Sequence, residues 1–330
     1  MKILFIGGTG NISLTISQQL IASEHELTLY NRSSPLPGAK HIAGDINDEQ
    51  DAQQKLHGLK WDVVVNWVGF TQEQAERDIR LFNGACQQYI YISSASCYQN
   101  PQPPLTEDRS LYITEERKLE NPYWEYSRDK IAAEAALFLA YQELGFPVTV
   151  VRPSHTYSTI IPLTLGGWIY YNAVDRMKKG LPVVVQGDGT ALWTLTHARD
   201  FAKGFIGLLG NTEAIGEAVH ISSDEALDWN TIYQLTAAAV GATANIVHVT
   251  SEDICKLAPH ETGSLLGDKT ACALFDNSKI KRLVPGFKAT IPFKEGIKET
   301  IEWFEADPSR QIINPEEEAL IEKLVALSQR

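Results

Sequence analysis

The sequence predicts an α/β fold, a doubly wound parallel sheet with a smaller C-terminal region partly interleaved with it. Three observations lead there. Apolar runs rich in Val and Ile alternate with amphipathic helical stretches through the first half of the chain. A glycine-rich turn closes the first of those runs, and the pattern loosens after about residue 155.

In chain order, KILFIG (2–7) reads as the first strand and SLTISQQLIAS, after the glycines, as the first helix. ELTLYN (26–31) and DVVVNWV (62–68) are further strands, with a short strand-like piece before AGDIND. TQEQAERDIRLFNGACQQ predicts a helix running up to YIYISS (89–94), the next strand. YQNPQPPLTEDRS (98–110) is proline-rich and polar, hence a long loop beyond a strand's C-terminal end, where open α/β sheets bind their ligands. A helix from about Trp124 runs through IAAEAALFLAYQELG to a stop at Gly145 and Pro147, and VTVVRP (148–153) follows as a strand. HISS (220–223) reads as a later strand, and PEEEALIEKLVALSQR from Pro315 as a helix with an acidic first turn. The expected division is 1–155 for the sheet unit and 156–330 for the remainder, with some elements returning to the sheet.

The net charge of −12 and a pI near 5.2 argue against a nucleic-acid backbone as main partner, since such binding rests on clustered Lys and Arg. No stretch approaches the roughly 20 consecutive apolar residues of a membrane span. MKILFIGG is too short for a signal peptide, so a cytoplasmic protein is expected. Cys86, Cys97, Cys255 and Cys272 lack CxxC spacing and are expected as buried reduced thiols. The eight histidines show no metal-ligand spacing such as HExxH, and no metal is expected.

IGGTGNIS (6–13) closes a strand and opens a helix, the setting of a dinucleotide fingerprint. Gly7 and Gly10 supply a tight turn and close approach to a pyrophosphate. Ser13 stands where a third glycine would pack helix on strand, a small departure. Gly7, Gly10, Asn11 and Ile12 are the candidate cofactor contacts, in a Rossmann-like NAD(P)-binding unit. About 20 residues further on, where an acidic residue would take the ribose hydroxyls, stand Tyr30, Asn31 and Arg32. Asn31 can hydrogen-bond a ribose, and Arg32 with Ser33 and Ser34 can hold a 2′-phosphate, which favours NADP over NAD. Asp45 either faces the adenine or caps a helix beginning at Asp48.

In NPYWEYSRDKIAAEAAL, Tyr126 and Lys130 stand four apart on a helix and share one face. A lysine ammonium beside a phenol favours the phenolate, which can take a proton from a secondary alcohol while hydride leaves its carbon. Upstream, YIYISSASCY ends a strand in hydroxyl residues, and Ser94 can hold the reacting oxygen near Tyr126. With these motifs in this order, the chain resembles the extended short-chain dehydrogenase/reductase family, the NAD(P)-dependent sugar epimerase/dehydratase group. GGTGNIS, ISSASCY, YSRDK and VVRPSHTYS match its N-terminal motifs, and GDGTALWTLTHARDFA and HISSDEALDWNTIYQL its C-terminal half. The resemblance implies that Tyr126 is the catalytic base, Lys130 contacts the nicotinamide ribose and Ser94 orients substrate. It also implies a substrate region mainly beyond residue 155, and similar proteins are often homodimers.

Two departures narrow the expectation. Members that bind nucleotide sugars carry an arginine shortly after the GDGT-like turn, whereas Leu192, Trp193 and Thr194 stand here. An aromatic face suits a sugar ring better than a diphosphate, so a free or simply modified sugar is expected. The 4,6-dehydratases place an acidic pair after the catalytic threonine, whereas Ala95 and Ser96 follow Ser94, leaving oxidation, reduction or epimerisation through a ketone. Ser94, Ser96, His155, Tyr157 and Trp193 are the candidate substrate contacts. Tyr123 and Trp124 face away from Tyr126, and His197 is expected to be structural. The alternatives are a nucleotide-sugar 4-epimerase, with Arg176 or Lys178 gripping the diphosphate, and a non-catalytic RNA-binding protein on the same fold, like the chloroplast stem-loop RNA-binding proteins.

Overall fold

Six strands of the first half, Lys2–Ile6 (β1), Glu26–Asn31 (β2), Lys40–Ala43 (β3), Trp61–Asn66 (β4), Cys86–Ile92 (β5) and Val148–Pro153 (β6), pair in parallel. A computed structural model describes residues 1–32, 35–98, 104–108 and 124–329 of the chain. Its main sheet runs β3-β2-β1-β4-β5-β6 and then the strand Ala218–Ile221, also parallel. This is the Rossmann-like α/β fold predicted from the sequence. The strand order reverses between β1 and β4, which opens a crevice at their C-terminal ends.

The central strands are continuously apolar because both faces are covered. Ile3, Leu4, Phe5, Val63, Val64 and Val65 are all fully buried. On one face, α1 (Ser13–Ile21) and the helix Ala198–Leu208 bring Ile16, Leu20, Phe201 and Phe205 against the sheet. The other face is covered by α2 (Glu49–Leu56), α3 (Gln72–Phe82) and α4 (Glu125–Leu144), through Leu56, Phe82, Ala133 and Leu137. Each large apolar side chain so buried contributes about 1.5–3 kcal/mol.

Boundaries differ from the sequence expectation where a single residue redirects the backbone. The helix predicted over 71–88 ends at Phe82, because Gly84 turns the chain with φ +68° and Cys86 already begins β5. The strand predicted over 62–68 ends at Asn66, whose Oδ1 accepts from the Val68 amide at 2.8 Å. Helix α4 stops as expected, with Gly145 in the left-handed region at φ +69°. Of the predicted loop 98–110, residues 99–103 and 109–110 lie outside the described residues, as do Ser33, Ser34 and Tyr123. Cys97 is buried, whereas Cys86, Cys255 and Cys272 are half-buried and none is in a disulfide. The expectation of four buried thiols therefore holds for Cys97 alone.

Beyond β6 a second core forms around Tyr157, Trp193, Trp229, Tyr233 and Phe293. The strands Pro182–Gln186 and Asn245–Val249 pair in parallel beside it, and the helix Pro315–Ser328 begins on the Asn314 cap. A buried ion pair ties α4 to the sheet. Arg152 donates from Nε and Nη2 to the two Glu134 carboxylate oxygens at 3.0 and 2.6 Å, and the Ser93 hydroxyl donates to the same carboxylate. Glu134 lies one turn beyond Lys130, so the pair fixes the face of α4 that meets the crevice. No helix among the described residues is long and apolar enough to cross a membrane.

Candidate active site

A cavity of about 870 Å³ opens at the crevice between β1 and β4 and extends under the second core. The glycine turn forms one end, with Gly7, Gly8, Thr9, Gly10, Asn11, Ile12 and Ser13 in its wall. Gly7 and Gly8 have φ of +93° and +97°, which L side chains rarely adopt. A Cβ on Gly8 would meet Leu29 Cδ2 at 2.8 Å, whereas one on Gly10 would meet nothing closer than Ser13 Oγ at 3.7 Å. Helix α1 starts at this turn without a side-chain cap, its Leu14 amide donating to the Gly10 carbonyl at 2.9 Å, so the positive end of the helix stands at the cavity wall. These features fit the pyrophosphate of a dinucleotide.

Ser13, in the third glycine's place, takes the Gly10 amide on its Oγ at 2.9 Å and so closes the turn. Asn11 clips the turn to the far wall, donating to the Thr156 carbonyl and accepting from the Thr159 amide, both at 2.9 Å. Asn31, Arg32 and Asp45 lie outside the cavity wall. The Asn31 amide nitrogen donates to the Gly7 carbonyl at 3.1 Å, and its oxygen faces His41 Nε2 at 3.1 Å. Asn31 thus braces the glycine turn. Arg32 and Asp45 pair at 3.5 Å on the surface. Asp48 caps α2, accepting from the Asp51 amide at 3.0 Å, while Asp45 accepts from the Asn47 amide.

Ser94, Ser96, Tyr126 and Lys130 line the middle of the cavity. The Ser96 hydroxyl and amide donate to Ser94 Oγ at 2.9 and 3.2 Å. Tyr126 remains 49 % exposed, its ring 6.3 Å from that of Phe70. Lys130 is buried, and its Nζ donates to the carbonyls of Gly69 and Ile92 at 2.6 and 2.7 Å. That nitrogen lies 5.8 Å from the Tyr126 ring centroid. Desolvation raises the Tyr126 phenol, and the Ser94 side chain opposes it. The same desolvation pushes Lys130 down to about 8. Burial thus works against the lowering of the phenol that the spacing leads one to expect, and Lys130 spends two of its protons on backbone carbonyls.

At the far end stand His155 and Trp193. Trp193 Nε1 donates to the Ala271 carbonyl at 2.8 Å, which fixes the indole against Trp229. The His155 ring stacks on Trp168 at 5.2 Å, and burial, then the Lys269 charge, pushes it down to about 3. Its Nε2 has no partner among the described residues. Tyr157 is fully buried between His197 and Phe293 and does not line the cavity, so the sequence-based placement at the substrate is corrected: its phenol is packed into the second core, whereas the His155 ring two residues earlier reaches Trp168 and Trp193. His197 caps the helix Ala198–Leu208, accepting from the Arg199 amide at 3.2 Å.

Phe70, Trp168, Asp268 and Lys269 are among the lining residues that escape sequence reasoning. Trp168 is signalled only by its φ of +57°, rare for a bulky residue. Asp268 and Lys269 arrive through topology, because Ala273 bridges to Trp193 and Phe275 to Leu105.

A sequence model of the NAD dependent epimerase/dehydratase family matches residues 3–222. The chain is 28 % identical over 266 residues to the Arabidopsis thaliana protein named chloroplast stem-loop binding protein of 41 kDa b, covering 75 % of this chain and 65 % of that one. It is 26 % identical to 2'-dehydrokanamycin reductase of Streptomyces kanamyceticus, covering 87 % and 80 %. It is 27 % identical to UDP-N-acetyl-alpha-D-glucosaminuronate decarboxylase of Bacillus cytotoxicus, covering 92 % and 97 %. The fold is that of UDP-glucuronic acid 4-epimerase from Bacillus cereus in complex with NAD, with TM-score 0.70, 16 % identity and coverage of 92 % and 96 %. An epimerase from Methanothermobacter thermautotrophicus aligns with TM-score 0.73 at 16 % identity, covering 93 % of each chain. With two thirds of its length matched by the family model and the catalytic cleft at the sheet's switch point, the chain is an enzyme of the NAD dependent epimerase/dehydratase family.

Proposed function

We propose that the protein oxidises or reduces a secondary alcohol of a sugar-like substrate that carries no nucleoside diphosphate, or epimerises it through a transient ketone. The wall around Trp193 carries this reading. Among the described residues no arginine lines the cavity. Arg176 is buried and spends Nη1 on Glu318 and Glu322, each at 2.5 Å, and Lys178 is paired with Glu305 at 2.7 Å. Neither is free to hold a diphosphate at this cavity, and an indole face occupies the position beside the sugar.

Gly7, Gly10, Asn11 and Ile12 would hold the pyrophosphate, and Lys130 the nicotinamide ribose. When bound, the dinucleotide accepts or returns the hydride. Tyr126 takes the proton of the alcohol and gives it back in reduction, with Ser94 holding the reacting oxygen. Lys130, as the nearby cation, favours the phenolate once its ammonium turns from the Gly69 and Ile92 carbonyls. For the cofactor, the exposure of Arg32 supports NADP over NAD, provided that a 2′-phosphate displaces Asp45 from the guanidinium.

Calorimetry with NAD-saturated protein separates the substrate classes. Free sugars that turn over, with UDP-glucose and UDP-glucuronate binding no better than millimolar, are the expected result. Micromolar binding of either UDP-sugar overturns it in favour of a nucleotide-sugar 4-epimerase; the Bacillus cytotoxicus relative, named as a UDP-sugar decarboxylase, supports a nucleotide-sugar substrate. The Arabidopsis relative favours RNA binding. A shift of labelled structured RNA with no change in nicotinamide fluorescence would establish that function instead.

A further inference from the structure

The cavity has a second charged locus, away from Lys130. Asp268 and Lys269 end the π-helical turn Leu265–Lys269, and both line the wall. The Lys269 side chain is 7 % exposed, and its Nζ donates to Ser264 Oγ at 2.7 Å. Asp268 Oδ2 stands 3.9 Å from that nitrogen, too far for a hydrogen bond. Trp229 Nε1 donates to the Lys269 carbonyl at 3.2 Å, which pins the backbone of the pair. The ammonium lies 5.9 Å from the Trp193 ring centroid, and His155, whose Nε2 is buried and has no partner among the described residues, meets the same indole edge-on at 6.2 Å. Tyr126 lines the same cavity, so this locus and the reacting group face one space.

A buried ammonium with protons to spare and a carboxylate just out of reach ask for a group that both accepts and donates. A hydroxyl does both with one oxygen, and the 3.9 Å gap lets that oxygen stand about 2.8 Å from each partner. A sugar carboxylate or phosphate would satisfy Lys269 only while facing Asp268, a like-charge contact at low dielectric. An amine would meet Lys269 in the same unfavourable way.

We propose that Asp268 and Lys269 form a hydroxyl-reading subsite, which holds a second hydroxyl of the substrate between Trp193 and Tyr126 and selects neutral sugars over acidic or phosphorylated ones. This rests on the free-sugar reading above and adds the charge of the sugar that the site accepts.

The test titrates NAD-saturated protein with neutral hexoses and pentoses, their uronates, and UDP-glucose, following tryptophan fluorescence and, where turnover occurs, absorbance at the NADH band. Neutral sugars should bind at least tenfold more tightly than the matching uronates. Lys269→Met should weaken neutral sugars about tenfold, and Asp268→Asn should narrow the neutral-over-acid ratio at least fivefold by removing the repulsion. Lys269→Arg, which keeps the charge, should restore part of the loss, and unchanged thermal melting excludes misfolding as the cause. Neutral sugars that bind equally well to wild type and Lys269→Met, or uronates that bind wild type as well as neutral sugars, overturn the subsite and leave the free-sugar reading standing. Response to UDP-glucose alone overturns both.

Discussion

Replacing Lys130 with Met removes an ammonium that the fold holds almost without water, 3 % exposed against two backbone carbonyls. Burial lowers its pKa from 10.5 to about 8, so the folded state disfavours the charged form by on the order of 3 kcal/mol. Below about pH 8 the lysine is charged in both folded and unfolded chains, and the whole penalty is present. From there to about 10.5 the unfolded chain keeps a proton that the folded chain has released, so wild-type stability rises with pH. Above that range both forms are neutral and the penalty is gone. Met cannot titrate. The loss of the Gly69 and Ile92 partners is a cost to the variant that does not depend on pH. Urea unfolding of both proteins at a series of pH values, without cofactor, isolates the term, because groups common to both cancel in the difference. The stability gap should move toward wild type by on the order of 3 kcal/mol across that window. A gap that stays flat, or moves the other way, would refute the burial of this charge and the desolvation that lowers its pKa.

Tyr126→Phe should leave NAD binding, read by fluorescence titration, nearly unchanged while lowering turnover about a hundred- to ten-thousand-fold, since only the proton-transfer group is lost. Arg152→Met strands the Glu134 carboxylate inside the protein and should cost about 3–5 kcal/mol in urea unfolding. Adding Glu134→Met should recover most of that loss, and a double variant no better than the single would show that the pair is not the source. Gly8→Ala forces a side chain into φ +97° and against Leu29, so it should cost about 1–3 kcal/mol in thermal melting and weaken NAD binding together.

The parts of this protein that sequence made legible are those in which one short stretch contains the whole device. IGGTGNIS carries strand end, turn and helix start within eight residues, so its geometry follows from local steric rules. Ser13 even supplies a hydrogen bond to the turn that its replacement of glycine did not advertise. Tyr126 and Lys130 share a helix face by spacing alone. Their electrostatics do not follow from spacing, because the carbonyls that take the Lys130 protons belong to Gly69 and Ile92, far away in the chain. Asn31 shows a related effect: the fingerprint offset finds the strand end, while the partners of the side chain there, the Gly7 carbonyl and His41, come from elsewhere in the chain.

The substrate end of the cavity was the least legible, and its assembly explains why. Trp193 was read from a departure beside the GDGT-like turn, yet what fixes its ring is the Ala271 carbonyl, 78 residues later. That bond, with the Trp193–Ala273 bridge, carries the segment from Leu265 to Phe275 along the cavity wall, and Asp268 and Lys269 travel with it. Nothing within GSLLGDKTACALF marks those two as site residues, since an adjacent Asp and Lys in a polar stretch read equally well as solvated surface. Tyr157 shows the converse. It stood in a promising motif, two residues from His155, but the second core closes over it and buries the phenol against His197 and Phe293. On the proposed reading, the choice of sugar on this fold is set by which late segment the second core docks against Trp193. A chain with the same N-terminal motifs and a different 265–275 segment would keep the hydride and proton transfer while changing the sugar it accepts.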